Sequence, residues 1–335
     1  MKELLPDIER WRARGERFAL ATVVATRRSA PRPVGSKLVV SETGELAGSV
    51  SGGCVENEVY GSAREVLAGA PPQLLSYGIS DDLALSVGLP CGGEIDVFVN
   101  EPDAVVLEQV LEVVRSEEER AVVLTDLETG EQQLLRDGTE LDRGRSGLVE
   151  REGRKVFADV YGPPPRLLVF GAVDTAEALC RAAKAIGWRT VVADARGKFA
   201  TPERVPSADE LVVGWPDDVL ARVPPDHATA VVVLTHDDRF DVPALAGALE
   251  SDAFYVGALG SRRNQTRRRE RLLEAGVSEE AVDRISGPAG LDIGADTPAE
   301  TALSILAEIL AVRAGRSGGP LKNAPGRIHA EPQPA

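Results

Sequence analysis

The stretch LLVFGAVDTAEALCRAAKAIGWRTVVADAR, Leu167 to Arg196, decides the fold. It opens on a short apolar run, breaks at Gly171 and continues with apolar residues at helical spacing, Ala176, Leu179, Cys180, Ala183 and Ile186. A second β-branched run then ends at Asp194. Apolar strand, glycine turn, amphipathic helix and apolar strand make a βαβ crossover, and an acidic residue about twenty positions past the turn is the layout of a dinucleotide-binding unit. Further apolar runs at Glu210 to Val213, Ala230 to Leu234 and Tyr255 to Ala258 alternate with helical patterns. That alternation predicts a doubly wound, Rossmann-like parallel sheet covered on both faces.

The turn itself departs from the GxGxxG fingerprint, with Val173 at the second glycine position and Ala176 at the third. Valine crowds a pyrophosphate that must approach the backbone, whereas Asp194 favours a ribose hydroxyl. An NAD(P)-dependent oxidoreductase therefore stands as a rival reading, with Val173 set against it. Asp174 either caps the helix or adds negative charge where a phosphate would lie.

Two more strand ends fall at the same edge. In VVVLTHDDRFD, Thr235 and His236 follow the last strand residues, where ligands of open α/β sheets bind. His236 reads equally as a proton carrier and as a side chain that holds its loop. In GALGSRRNQTRRRERL, Arg262 and Arg263 enter a helix and suit a phosphate or a phosphorylated cofactor. Arg268 and Arg271 read as a solvated helix face.

Upstream, YGPPPR (Tyr161 to Arg166) marks a boundary, because consecutive prolines stiffen a linker and remove ladder donors. It divides an N-terminal α+β domain, 1–160, from a Rossmann-like domain, 167–315, with 161–166 as linker and 316–335 as a loose tail. In the first domain the β-branched run FALATVVAT (Phe18 to Thr26) predicts a buried strand, and a hairpin turns at Thr43-Gly44. Strands at Gln73 to Tyr77 and Glu94 to Val99 flank a loop, a helix covers Asp103 to Arg115, and antiparallel strands fill Ala121 to Asp159. Near the C-terminus, Thr297, Pro298 and Glu300 write a capping box, with Leu303, Leu306 and Leu310 expected to face the core.

Cysteine placement adds chemistry to the first domain. In GSVSGGCVENEV (Gly48 to Val59), Cys54 follows Gly52 and Gly53 at the mouth of a helical pattern; in GLPCGGEIDVF, Cys91 precedes Gly92 and Gly93. A helix N-terminus with free amides favours a thiolate, so Cys54 reads as a nucleophile, a metal ligand or an oxidisable thiol. A small apolar side chain after a tight turn is the plainer alternative. Cys180, inside an apolar helical pattern, reads as core.

Composition narrows the partners. The 335 residues carry a formal charge of −15, which disfavours a general nucleic-acid binder. No apolar run approaches the roughly 20 residues of a membrane span, and the N-terminus lacks a signal peptide's basic head and apolar segment. Three cysteines fit reduced thiols, so the expected compartment is the cytoplasm.

Taken together, GSVSGGCVE, GLPCGGEIDVF, the crossover, GALGSRRNQTRRRERL and GPAGLDIGADTPAETALSILAEILA resemble the xanthine dehydrogenase accessory factor family, also called the XdhC/CoxI family, over nearly the whole chain. Where that family commonly reads GAG and histidine in the Rossmann turn, this chain reads GAVD. The resemblance implies a molybdenum cofactor chaperone that binds molybdopterin or its cytosine dinucleotide. It also implies protection of that cofactor while a cysteine desulfurase installs its sulfido ligand, and delivery to a molybdenum hydroxylase apo-enzyme. Under this resemblance Cys54 is the expected molybdenum contact, with Cys91 nearby or redundant. A phosphate or cytosine extension would meet Arg262, Arg263 and the Rossmann edge, with the two domains facing each other across the cofactor. A Cys54-dependent sulfurtransferase is a second rival, and a homodimer is the expected assembly.

Overall fold

A computed structural model describes residues 1–27, 30–78, 93–116, 119–142 and 144–324. The chain divides into two compact units, a first built on Met1–Pro163 and a second, Pro164–Pro320.

Among the described residues, the first unit holds two antiparallel sheets. One has the order β3-β2-β1-β5-β4, from β1 (Phe18–Arg27), β2 (Lys37–Ser41), β3 (Leu46–Gly48), β4 (Gln73–Tyr77) and β5 (Glu94–Asn100). The other runs β7-β6-β9-β8, from β6 (Ala121–Asp126), β7 (Gln132–Leu135), β8 (Gly147–Arg151) and β9 (Arg154–Tyr161). Its α-helices, among the described residues, are α1 (Leu5–Ala13), α2 (Glu56–Leu67), α3 (Ala104–Arg115) and the short α4 (Thr139–Asp142).

β1 is buried along its first eight residues because both faces are covered, which is why its sequence does not alternate. Ala19, Ala21 and Val23 pack with Val59, Ala63 and Val66 of α2, and Phe18 and Leu20 pack with Ile8 and Trp11 of α1 and Leu107 and Leu111 of α3. The opposite stripe of α3, Val106, Val110, Val113 and Val114, packs with Ala121, Val123 and Tyr161 of the second sheet. One amphipathic helix thus serves two sheets. The Lys37 ammonium, 2.6 Å from the Asp159 carboxylate and equally buried, adds a paired charge between them.

The second unit is a six-stranded parallel sheet, β12-β11-β10-β13-β14-β15, from β10 (Arg166–Phe170), β11 (Arg189–Asp194), β12 (Glu210–Val213), β13 (Thr229–Val233), β14 (Tyr255–Ala258) and β15 (Ile285–Ser286). The chain order reverses between β10 and β13, so the sheet has its switch point there. Leu168 pairs in register with Val191 on one side and Val231 on the other. α5 (Asp174–Ala185) and α10 (Pro298–Arg313) cover the face of Leu167 and Val169; α6 (Pro216–Arg222), α7 (Asp238–Glu250) and α8 (Arg262–Glu274) cover that of Leu168 and Phe170. α9 (Glu279–Asp283) precedes β15.

Three expectations need correction. The capping box at Thr297 and Glu300 is present, but α10 turns Ala302, Ile305, Leu306 and Ile309 inward and leaves Leu303 and Leu310 exposed by 57% and 38%. Because α10 is apolar almost all round, spacing alone does not choose its buried face. Asp174 is the first residue of α5 rather than its cap; Val173 holds that position, and no side chain caps the helix there. Arg268 is buried, not solvated.

Candidate functional site

The segment Ser49 to Gly53 wraps one carboxylate. Oε1 of Glu56 accepts from the Ser49 hydroxyl at 2.7 Å and from the amides of Val50, Ser51 and Gly52 at 3.2, 2.9 and 3.0 Å. Oε2 accepts from the Gly53 amide at 2.8 Å and from the Ser51 hydroxyl. The Ser51 hydroxyl oxygen in turn accepts from the amides of Cys54 and Val55 at 2.9 and 3.0 Å. Burial acts to raise the Glu56 carboxyl, but the hydroxyls of Ser51 and Ser49 and the backbone amides outweigh it and hold the group at about 2.

That arrangement changes the reading of Cys54. α2 begins at Glu56, two residues later than expected, and the loop amides are engaged by Glu56 and Ser51 rather than turned to the sulfur. Gly52 and Gly53 have φ of +79° and +113° with open space where a Cβ would stand, so backbone conformation rather than crowding selects glycine. Cys54 itself is exposed, on a backbone whose donors are already satisfied. Glu56 was not singled out from the sequence, although its place three residues after Gly53 is the available signal. Gly93 is buried just before β5, whereas Cys91 and Gly92 lie outside the described residues. Cys180 is buried, and that burial pushes its thiol up to about 12.

The other predicted site residues gather at the carboxyl ends of β10, β11, β13 and β14 in the second unit. Gly171 has φ of +109°, and a Cβ there would stand 2.7 Å from Thr235 Cγ2, so the turn after β10 and the end of β13 are in direct contact. The Ala172 amide donates to Asp194 Oδ2 at 3.0 Å, while Arg196 closes a two-pronged bond on the same carboxylate at 2.9 and 2.8 Å. Burial works against the Asp194 anion, yet these donors prevail and lower its pKa. The carboxylate expected to take a ribose hydroxyl is therefore engaged within the chain, which adds to Val173 against NAD(P) in the standard pose. Asp174 is exposed, with Arg204 4.0 Å away.

Thr235 turns its hydroxyl inward to donate to Asp241. Asp241 also accepts from Arg268 at 2.8 Å, and Arg268 donates further to Gln265 Oε1 and the Leu259 carbonyl. Gln265 reaches the Ala258 carbonyl at the end of β14 at 3.0 Å. Neither Asp241 nor Gln265 stood out in the sequence; both brace the ends of β13 and β14. His236 remains exposed beside this network.

The arginines of α8 divide by partner. Arg267 pairs with Asp238, Arg268 with Asp241, Arg269 with Asp283 and Arg271 with Glu274. Arg262 and Arg263 are exposed on the first turn and form no ion pair among the described residues. Among those residues, no three His, Cys, Asp or Glu side chains converge closely enough to hold a metal, and no helix is long and apolar enough to cross a membrane.

Comparison with known proteins covers both units. A family model described as the XdhC Rossmann domain matches residues 167–309, and one described as the XdhC and CoxI family matches residues 11–78. The molybdenum cofactor insertion chaperone PaoD of Escherichia coli is 31% identical over 306 residues, covering 89% of this chain and 84% of that protein. A Bacillus subtilis protein named as a probable xanthine dehydrogenase component is 27% identical over 317 residues, 89% of this chain and 94% of its own length. The crystal structure of a xanthine dehydrogenase from Bacillus halodurans, 25% identical, aligns with a TM-score of 0.67 over 96% of this chain and 98% of the other.

Proposed function

The chain belongs to the XdhC and CoxI family, and on that premise we propose that it is a molybdenum cofactor insertion chaperone for a hydroxylase of the xanthine dehydrogenase type. The cofactor is cargo: molybdopterin or its cytosine dinucleotide, held while a cysteine desulfurase supplies the sulfido ligand and then released to the apo-enzyme. Cys54 offers molybdenum a soft sulfur ligand, and Cys91, with Gly92 and Gly93, is a second cysteine-glycine stretch that either joins it or is redundant. Arg262 and Arg263 take the cargo's phosphate, with Gly171, Asp174, Asp194, Thr235 and His236 along the same sheet edge.

One observation carries this reading. Cys54 stands exposed on a turn whose amides are satisfied by Glu56 and Ser51, so a metal can take the sulfur without the loop reorganising.

Anaerobic titration with molybdenum cofactor tests it, wild type beside Cys54→Ala, read by cofactor fluorescence after ultrafiltration. Stoichiometric retention by the wild type and about tenfold weaker retention by the variant are expected, a difference of about 1.4 kcal/mol. Retention by neither protein, or equal retention by both, would remove the molybdenum role of Cys54.

A further inference from the structure

Three tryptophans are present, and they differ sharply in exposure. Trp11 and Trp188 are buried, whereas Trp215 is 53% exposed. Trp215 follows β12 at the carboxyl edge of the second unit's sheet, two residues past Val213, which is also exposed. A single exposed apolar residue needs no explanation, but this pair has a specific neighbour.

Val213 is the register partner of Asp194, and the Gly214 amide donates to the Asp194 carbonyl at 3.3 Å. A Cβ on Gly197 would lie 3.6 Å from Val213 Cγ1, so the loop after β11 runs beside Val213. Within that loop the Arg196 guanidinium is fixed twice, through Nε and Nη2 to Asp194 and by stacking 3.9 Å above the Phe199 ring. Its Nη1 joins neither carboxylate bond. Trp215 is braced from the core by Phe240, ring centroids 6.0 Å apart, and Phe240 rests edge-on against Phe170.

We infer that Val213, Trp215 and Arg196 form a subsite for a nucleoside phosphate, the base lying on the indole and the phosphate meeting Nη1 of Arg196. A braced aromatic plane after one strand and a positioned guanidinium after the strand paired with it supply what a flat heteroaromatic ring carrying a phosphate requires. The subsite lies at the carboxyl edge of the parallel sheet, the edge at which open α/β sheets bind such ligands, over β11 and β12. Asp237 is the acidic neighbour that acts electrostatically on Arg196, and it faces an arginine already neutralised by Asp194. The subsite would take the nucleotide end of a dinucleotide cargo, a link that rests on the chaperone reading, or a free adenine nucleotide.

Because the other two indoles are buried, fluorescence quenching reports on Trp215. The full chain is titrated with CMP, AMP and inorganic phosphate, and nucleotide affinity is measured in parallel by calorimetry for Trp215→Ala and Trp215→Phe. Saturable quenching by CMP or AMP but not by phosphate is expected, with affinity about tenfold weaker in Trp215→Ala and partly restored in Trp215→Phe. Preference for CMP identifies a cytosine-bearing cargo and preference for AMP an adenine nucleotide; either upholds the subsite. Absence of saturable quenching at millimolar nucleotide, or unchanged affinity in Trp215→Ala, would overturn it. A chain that retains molybdenum cofactor but takes no nucleotide loses this subsite alone, and one that takes nucleotide but no cofactor loses the chaperone reading alone.

Discussion

Arg268 Nη2 lies 2.8 Å from Asp241 Oδ2, and both side chains are almost sealed from water. Burial pushes the Asp241 carboxyl above its ordinary range, against hydrogen bonds from Thr235 and Arg268 that favour the anion. Removing the guanidinium leaves a buried charge without its counterion, so Arg268→Ala should cost about 3–5 kcal/mol. The exposed Arg267–Asp238 pair should cost at most about 1 kcal/mol in Arg267→Ala. Urea denaturation of both variants measures the contrast. With its counterion gone, Asp241 should rise further, so the Arg268→Ala deficit should shrink as pH falls and the carboxyl takes up a proton.

The same pair shows where the sequence is informative and where it is not. Strands such as Leu167 to Phe170 were legible because buried parallel strands are continuous apolar runs, and the Thr297 capping box because its bonds span only three residues. Arg268 was not legible, since six arginines between Arg262 and Arg271 look alike in composition and only the packing of α8 selects the one that turns inward. α10 failed for a related reason, being apolar on its outer face as well as its inner one. At the Cys54 loop the glycine pair was readable, but the carboxylate it encloses depends on a fold-back that no periodicity encodes.

Glu56→Ala should release the loop. The amides of Val50, Ser51, Gly52 and Gly53 would lose their acceptor, and a hydrogen bond to a charged group contributes about 2 kcal/mol. Hydrogen–deuterium exchange at Gly52 and Gly53 should accelerate in the variant while the β1 amides stay protected. Unchanged exchange at the two glycines would show that the carboxylate does not hold the turn.

Glu56 also imposes a pH signature. Its carboxyl is held at about 2 against an ordinary 4.5, so the folded value is the depressed one. Stability from this group is complete above the ordinary value and is lost as pH falls from there through about 2. Denaturant midpoints of wild type and Glu56→Gln, measured across that acidic window, should converge as pH drops, because the amide does not titrate. Parallel curves would assign the acid sensitivity to other carboxylates.

Thiol accessibility separates two cysteines. Cys54 is exposed, and Cys180 is buried with its thiol pushed up to about 12. In a Cys91→Ser background, a chromogenic disulfide reagent should therefore modify one thiol in the native protein and the second only on unfolding. A native count of two would mean that the core around α5 opens readily.

Gly171 and Thr235 give the sharpest steric test. Gly171→Ala places a Cβ 2.7 Å from Thr235 Cγ2 at a φ of +109°, which charges the variant with both a clash and backbone strain. Thr235→Ser removes the methyl that the new Cβ meets while keeping the hydroxyl for Asp241. The clash should disappear in the double variant and the strain should persist. Gly171→Ala is expected to lose about 2–4 kcal/mol, with about 1 kcal/mol or more recovered as coupling in the double-mutant cycle. Additive losses would assign the whole cost to backbone conformation, leaving the contact between the β10 turn and the end of β13 without energetic weight.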